Sequence, residues 1–282
     1  MNARLQIVTG KGGVGRSAVT AALALAAARS GRRVLATAMT DSRGLAAHLG
    51  LENLGYEPTL IEPNLHALAI DRARALDEYL RLQLPLGRRA PLRPLIRSLE
   101  AITQTVPGIR DVVTTGKLHY EVRSGNWDLV IADGPPTGQI MSYLRASRVI
   151  ASLIPSGRAR EQADQMTALL AAPKSSLVMV AIGEELPVTE TLEALDELND
   201  EALIAPGALF VNRSVTPLGV SESVLATIKD DGARDAGLLH RGLYENQQRW
   251  RRKLPDHVTL PLVFGERDPA EVAEQLSQQV MP

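Results

Sequence analysis

The chain of 282 residues contains no cysteine at all. Without thiols it can form neither a disulfide nor a thiolate metal site. Its five histidines are scattered without the spacing of zinc ligands, so we expect no zinc site either. Redox and metal centres that depend on cysteine are therefore excluded.

Strong charge of either sign and long apolar runs are also lacking. The formal net charge is −1, so no global basic field favours nucleic acid or an anionic membrane. The alanine-rich run at residues 18–31 is too short and too weakly apolar to span a bilayer, and predicts a helix that packs closely on a sheet and ends at Gly31. The first residues enter a predicted strand with no basic-then-apolar leader. We expect a cytoplasmic protein.

What the chain does have is a regular alternation of strands and helices. This alternation predicts an α/β fold with a mostly parallel sheet and helices on both faces. The length favours one domain over residues 1–282. Strands are predicted at residues 5–9, 33–37, 65–70, 129–132, 176–182, 208–211 and 257–260.

A glycine-rich segment, GKGGVGRS, follows the first predicted strand. It has the spacing of a phosphate-binding loop, G-x-x-x-x-G-K-[ST], except that Arg16 replaces the lysine. Glycines let the backbone wrap around a phosphate chain, and the following helix turns its positive end to the same anion. We therefore predict an ATP or ADP site. Its predicted phosphate-binding residues are Gly10, Lys11, Gly12, Gly13, Val14, Gly15, Arg16, Ser17 and Ala18.

Two residues predict a Mg²⁺ site beside this loop. The Ser17 hydroxyl is the position that coordinates Mg²⁺ in phosphate-binding loops. Asp133 follows the apolar run LVIA, as expected of a buried parallel strand that delivers a carboxylate to the carboxyl edge of a sheet. For Asp133 alone, a strand-ending turn residue is the alternative reading.

These motifs resemble those of a known family. The loop K-G-G-V-G-[KR]-S, with its early lysine, resembles the deviant Walker A loop of dimeric P-loop ATPases. Residues 133–138, D-G-P-P-T-G, are similar to the D-x-x-P-T-G switch II loop of the arsenite-pump and tail-anchored-protein-targeting ATPases, a pattern that partition ATPases usually lack. Further similar segments lie at residues 65–80, 105–118, 185–195, 209–217 and 260–268.

The resemblance implies roles for several residues. Lys11 matches the lysine that reaches across a dimer interface to the nucleotide of the other subunit. Asn212 and Arg213 fall where the family reads adenine, and Pro261 and Val263 belong to the loop that closes over the base. The implied cofactors are ATP or ADP with Mg²⁺.

The chain departs from the family at positions that serve hydrolysis. Arg16 is longer and planar, so it cannot simply replace a compact ammonium between phosphates. In the region that corresponds to switch I, residues 34–50, the water-orienting aspartate falls on Thr40, and Asp41 comes one residue later. We predict nucleotide binding with weakened hydrolysis, with Lys11 and Asp133 as catalytic candidates and Asp41 as the alternative to the missing carboxylate.

Several functions remain open at this stage. The absence of cysteine excludes the thiol metalloid site of the arsenite pump, the zinc clasp of the targeting factor and the Fe–S cluster of nitrogenase iron protein. The leading hypothesis is a dimeric nucleotide-switch ATPase that contacts a protein client or a membrane-associated partner. The second is an impaired subunit of a heterodimer with an active homologue. A partition or septum-site ATPase is disfavoured, because no nucleic-acid-binding surface is indicated.

A small helical subdomain is a further prediction. Residues 71–118 and 139–172 are its expected parts, and residues 84–103 are rich in proline and arginine. A surface helical connection and a partner-binding subdomain are equally compatible with this stretch.

Overall fold

The fold is built on one mostly parallel sheet. The computed structural model describes residues 3–83, 109–265 and 267–280. The eight strands of the sheet stand in the order β3-β4-β2-β5-β1-β6-β7-β8. They are β1 (Leu5–Gly10), β2 (Val34–Ala38), β3 (Thr59–Glu62), β4 (Leu65–Ala69), β5 (Leu129–Asp133), β6 (Ser175–Ile182), β7 (Ala205–Ser214) and β8 (Val258–Pro261).

Helices follow the strands as the alternation predicts. The described helices are α1 (Arg16–Arg29), α2 (Arg43–His48), α3 (Arg72–Gln83), α4 (Ile109–Arg123), α5 (Thr137–Leu153), α6 (Arg158–Ala171), α7 (Glu185–Glu201), α8 (Glu222–Ala226), α9 (Asp231–Arg251) and α10 (Pro269–Ser277). Within the described ranges, no helix combines the length and apolarity needed to cross a bilayer. The predicted α/β class is confirmed.

One strand, β3, was not predicted from the sequence. The edge strand β3 pairs antiparallel with β4, whereas the other strand pairs are parallel. The turn between β3 and β4 places Asn64 at φ 68, a left-handed conformation that Asn tolerates better than most residues. The side chains of β3 are exposed or half-buried, so the strand lacks the continuous apolar run that identifies a buried strand.

Both faces of the sheet are covered, and the central strand β1 contributes to the core on each face. Val8 of β1 lies in the core beneath α1 and α10, while Ile7 lies in the core beneath α4 and α5. Helix α1 is buried along most of its length, and its many alanines allow close approach to the sheet and to α10. A parallel sheet covered on both faces explains why its central strands read as continuous apolar runs.

The predicted subdomain ranges contain helices α3 to α6. Leu118 of α4 and Leu144 of α5 share one buried cluster with Leu5 of β1, so the described helices of these ranges pack on the sheet. Residues 84–108 lie outside the described residues, and with them the proline- and arginine-rich stretch. The separation of a subdomain stays a prediction.

The two phenylalanines of the chain provide a matched stability test. Phe210 of β7 is 1% exposed, and Phe264 is 60% exposed. Phe210→Ala removes a fully buried ring and leaves a cavity, so we expect the free energy of unfolding to fall by about 3–5 kcal/mol in urea titrations. Phe264→Ala is the control, with an expected change within about 0.5 kcal/mol. Equal effects of the two changes would contradict the assignment of Phe210 to the core.

Candidate nucleotide site

The glycine-rich loop joins β1 to α1 and needs glycine at fixed points. At Gly10, with φ 158, an added Cβ would lie 2.1 Å from the carbonyl oxygen of Val180 on the neighbouring strand. At Gly15, with φ 93, it would lie 2.3 Å from Nδ2 of Asn212. Side chains at these positions would collide with backbone or with a buried amide, so the spacing of the motif follows from the packing around it.

The loop offers a cradle for an anion. Gly12 and Gly13 are exposed, and an added Cβ at either would meet nothing within 4 Å. Helix α1 begins at Arg16, and its N-cap, Gly15, supplies no side chain to bond the first N–H groups. Unpaired N–H groups at the positive end of a helix form a ready site for phosphate.

The predicted metal residues meet at the edge of the sheet. Asp133 is the last residue of β5, and its Oδ2 accepts a hydrogen bond from the Ser17 hydroxyl at 2.5 Å. Asp133 is 5% exposed, and its other oxygen, Oδ1, has no hydrogen-bond partner among the described residues. A buried carboxylate oxygen without a partner is costly. An oxygen-coordinated cation such as Mg²⁺, or its bound water, would satisfy it, so these residues fit the metal.

Burial governs the protonation of this carboxyl group. It raises the pKa of Asp133 to about 6, against the hydrogen bond from Ser17 and the positive charge of Arg16, which lower it. Asp133 is therefore still ionised at neutral pH and can interact with a cation.

Arg16 contacts the switch II loop rather than an open phosphate site. Its Nη1 donates to the carbonyl oxygen of Gly134, and no ion pair joins it to Asp133. Burial lowers the pKa of Arg16, while the nearby carboxylate raises it. The same loop is fixed to β1, because the Gly134 N–H donates to Val8 O at 2.8 Å and the Thr9 hydroxyl donates to Pro135 O at 2.7 Å.

The switch I region presents no unengaged carboxylate to the site. Asp41 is paired with Arg43 at 2.7 Å on the exposed loop before α2. This pairing, by hydrogen bonds first, lowers the pKa of Asp41 to about 2. Thr40 is exposed, and Gly44 packs so tightly that an added Cβ would lie 2.7 Å from Ser17 Oγ. Switch I therefore packs closely against Ser17, the predicted metal ligand.

The predicted adenine residues lie on neighbouring strand ends. Asn212, at the carboxyl end of β7, donates from Nδ2 to the carbonyl oxygen of Val14 at 2.9 Å, so it holds the phosphate loop. Arg213 follows in the left-handed region, with φ 52. Pro261, the last residue of β8, and Val263 flank Leu262, whose N–H donates to Ser214 O of β7 at 2.9 Å.

One contact of the site was not predicted from the sequence. Lys11 Nζ donates to Oε1 of Glu190, on helix α7, and the Thr137 hydroxyl donates to Oε2 of the same carboxylate at 3.0 Å. The sequence did single out the segment around Glu190 as family-like, but that likeness gave the residue no role.

The geometry defines a class of protein. A phosphate loop between a parallel strand and a helix, with a carboxylate at the end of the adjacent strand and a serine hydroxyl against it, is the arrangement of P-loop nucleotide-binding proteins.

Comparison with known proteins narrows this class. The model of the anion-transporting ATPase family matches residues 3–162. ATPase BagA of Mycobacterium tuberculosis is 34% identical over 99% of this chain and 85% of its own length. A putative arsenical pump-driving ATPase of Prosthecochloris vibrioformis is 26% identical over 70% of the chain and 58% of its own length. ATPase get3 of Schizosaccharomyces japonicus is 29% identical over 51% of the chain and 44% of its own length.

The chain therefore belongs to the anion-transporting ATPase family, a family of P-loop ATPases. The resemblance to the arsenite-pump and targeting ATPases, inferred from the motifs, is confirmed.

The raised pKa of Asp133 predicts a pH-dependent stability effect. Between about pH 4 and pH 6 the folded chain binds a proton that the unfolded chain has released, so this group makes stability fall as pH rises. In metal-free and nucleotide-free buffer, Asp133→Asn should raise the free energy of unfolding at pH 7 by roughly 3 kcal/mol. Near pH 4, where both side chains are neutral, the difference should disappear.

A matched control for this measurement is Asp128→Asn. Arg33 holds the pKa of Asp128 at about 2, so its charge favours the folded state above the unfolded pKa, and the substitution should lower stability at pH 7. If Asp133→Asn also destabilises the chain at pH 7, the result contradicts the claim that burial of the ionised Asp133 carboxylate costs stability.

Proposed function

We propose that this protein is a dimeric nucleotide-switch ATPase that binds Mg²⁺·ATP at the loop of residues 10–17 and hydrolyses it slowly. The observation that carries the proposal is the Ser17–Asp133 pair, in which a buried carboxylate oxygen without a partner lies at the mouth of the phosphate loop. A hydrated Mg²⁺ on the nucleotide would satisfy this oxygen.

The residues divide the binding task. The loop N–H groups and the first turn of α1 hold the phosphates, and Ser17 with Asp133 holds the metal. Mg²⁺, when bound, offsets phosphate charge and orients the phosphoryl group. Asn212, which already supports the loop through Val14, contacts the adenine together with Arg213. Pro261 and Val263 close over the base.

Slow hydrolysis follows from two engaged side chains. The guanidinium of Arg16 is bound to the Gly134 carbonyl, so it is not poised over a γ-phosphate. Asp41, the carboxylate nearest to the altered position Thr40, is held by Arg43. An attacking water then lacks a carboxylate to orient it, and the phosphoryl group lacks a compact cation.

A second candidate is an impaired subunit of a heterodimer. It is supported by the contrast between Lys11, the residue that serves a partner's nucleotide and is retained, and Arg16 and Thr40, which would serve the chain's own site and are altered. In either case we propose that the protein acts in the cytoplasm, and that nucleotide controls its contact with a protein client or a membrane-associated partner. A partition or septum-site role remains the least supported.

Binding is tested by calorimetric titration of the chain with ATP, with and without Mg²⁺. We expect Mg²⁺ to strengthen ATP binding about tenfold or more, a difference of about 1.4 kcal/mol, because the metal joins the nucleotide to Ser17 and Asp133. Ser17→Ala should lose this Mg²⁺ dependence. Ser30→Ala, at the other end of the same helix, should retain it. Absence of binding at millimolar Mg²⁺·ATP would contradict the proposal that the chain binds this nucleotide.

Hydrolysis is tested by restoring both altered positions. Arg16→Lys with Thr40→Asp should raise single-turnover ATP hydrolysis about tenfold or more above the parent, since each tenfold corresponds to about 1.4 kcal/mol of barrier. Arg16→Lys with Thr40→Asn is the matched control, which differs by one charge and should gain little.

The parent chain itself provides the contradicting outcome. If it hydrolyses ATP as fast as the restored variant, its own site is not impaired, and Asp41 becomes the residue that orients water. Adding a co-encoded homologue to the parent separates the two candidates, because only a heterodimer subunit requires it for turnover.

A further inference from the structure

Glu190 joins three parts of the molecule through one carboxylate. It lies on α7, in the second turn of that helix, and its side chain is 33% exposed. Its Oε1 accepts from Lys11 of the phosphate loop, and its Oε2 accepts from the hydroxyl of Thr137, a switch II residue that is also the first residue of α5. Both oxygens of the carboxylate are therefore used, one by each nucleotide-sensing loop.

Glu190 accepts one charge-assisted hydrogen bond, from the Lys11 ammonium, and one from the neutral hydroxyl of Thr137. The hydrogen bond from Lys11 first, and that from Thr137 next, lower the pKa of Glu190, so the carboxylate is ionised at neutral pH. Charge-assisted hydrogen bonds are shorter and stronger than neutral ones. Solvent still reaches both Lys11 and Glu190, which keeps the pair weak enough to exchange.

We propose that Glu190 is a positioning residue for Lys11. Its carboxylate holds the lysine against the chain's own α7 in the nucleotide-free state and releases it only when phosphate and switch II rearrange. This inference rests on the proposed function, in which Lys11 serves the nucleotide of a partner subunit.

Lys11 cannot contact Glu190 of its own chain and the nucleotide of a partner subunit at the same time. A lysine ammonium held at Oε1 of Glu190 is committed to its own chain, and a reach across an interface requires that this contact be broken. Thr137 makes the release sensitive to nucleotide, because it belongs to the same loop as Asp133 and Gly134, which accept hydrogen bonds from Ser17 and Arg16. A movement of switch II toward a bound γ-phosphate would take Thr137 from the carboxylate and loosen the hold on Lys11.

The contact itself is tested in the nucleotide-free chain by competitive acetylation with limiting N-hydroxysuccinimide acetate. The acetylation rate of Lys11, read by mass spectrometry, is normalised to the exposed Lys174 and Lys229. Glu190→Gln should raise the rate at Lys11 about fivefold, because an amine released from a carboxylate partner reacts faster. Glu190→Asp, which keeps the charge, should restore part of the protection.

Glu193→Gln is the matched control for this test. It removes one carboxylate from an exposed position on the same helix and should leave the Lys11 rate unchanged. Equal Lys11 rates in the parent and in Glu190→Gln would overturn the proposal, as would an equal rise in Glu193→Gln.

The consequence is tested by nucleotide-dependent association in sedimentation velocity. With Mg²⁺·ATP present, Glu190→Gln should tighten association of the chain, alone or with a homologous ATPase, about fivefold. The gain should vanish when Lys11→Ala is also present, since Glu190 acts through Lys11. A merely structural role predicts the same change in both backgrounds and would overturn the proposal.

Failure of the two proposals is distinguishable. If the parent binds no nucleotide or never associates, the proposed function and the partner-directed role of Glu190 fall together, while acetylation still decides whether Glu190 holds Lys11. If the parent does associate but Glu190→Gln does not alter it, only the inference about Glu190 fails.

Discussion

The parallel pairing of β1 with β5 is the constraint on which the site depends. This register sets Val8 opposite Asp133, so the strand that feeds the phosphate loop ends beside the strand that delivers the carboxylate. Parallel strands end at the same edge of a sheet, so the segments that follow β1 and β5 leave the sheet side by side. The Ser17 hydroxyl on α1 then meets Asp133 without any further device. Close packing of α1 between the sheet and α10 keeps that meeting point fixed.

Around this fixed pair, the contacts of the loops describe a resting arrangement. Arg16 donates to the Gly134 carbonyl and Lys11 donates to Glu190, so both cations of the glycine-rich segment are engaged by the chain itself. A bound nucleotide would offer phosphate oxygens to both cations in exchange. Switch II takes part in each contact, through Gly134 in one and through Thr137 beside Glu190 in the other.

The departures from the family pattern concern two residues, Arg16 at the start of α1 and Thr40 in the loop before α2. Arginine in place of lysine at residue 16 keeps a positive charge at the start of α1. What changes is geometry, because a forked planar group reaches the switch II backbone instead of standing between phosphates. The similarity to ATPase BagA extends over almost the whole chain, with 34% identity over 99% of it.

The sequence by itself determined the sheet, the phosphate loop and the carboxylate of Asp133, because strand periodicity and motif spacing are local properties of the chain. It missed β3, whose exposed side chains carry no apolar pattern. Only the tertiary structure decided what Lys11, Arg16 and Asn212 contact, since their partners are 179, 118 and 198 residues away along the chain. Contacts of such separation depend on how helices and strands pack together, and no local pattern encodes them.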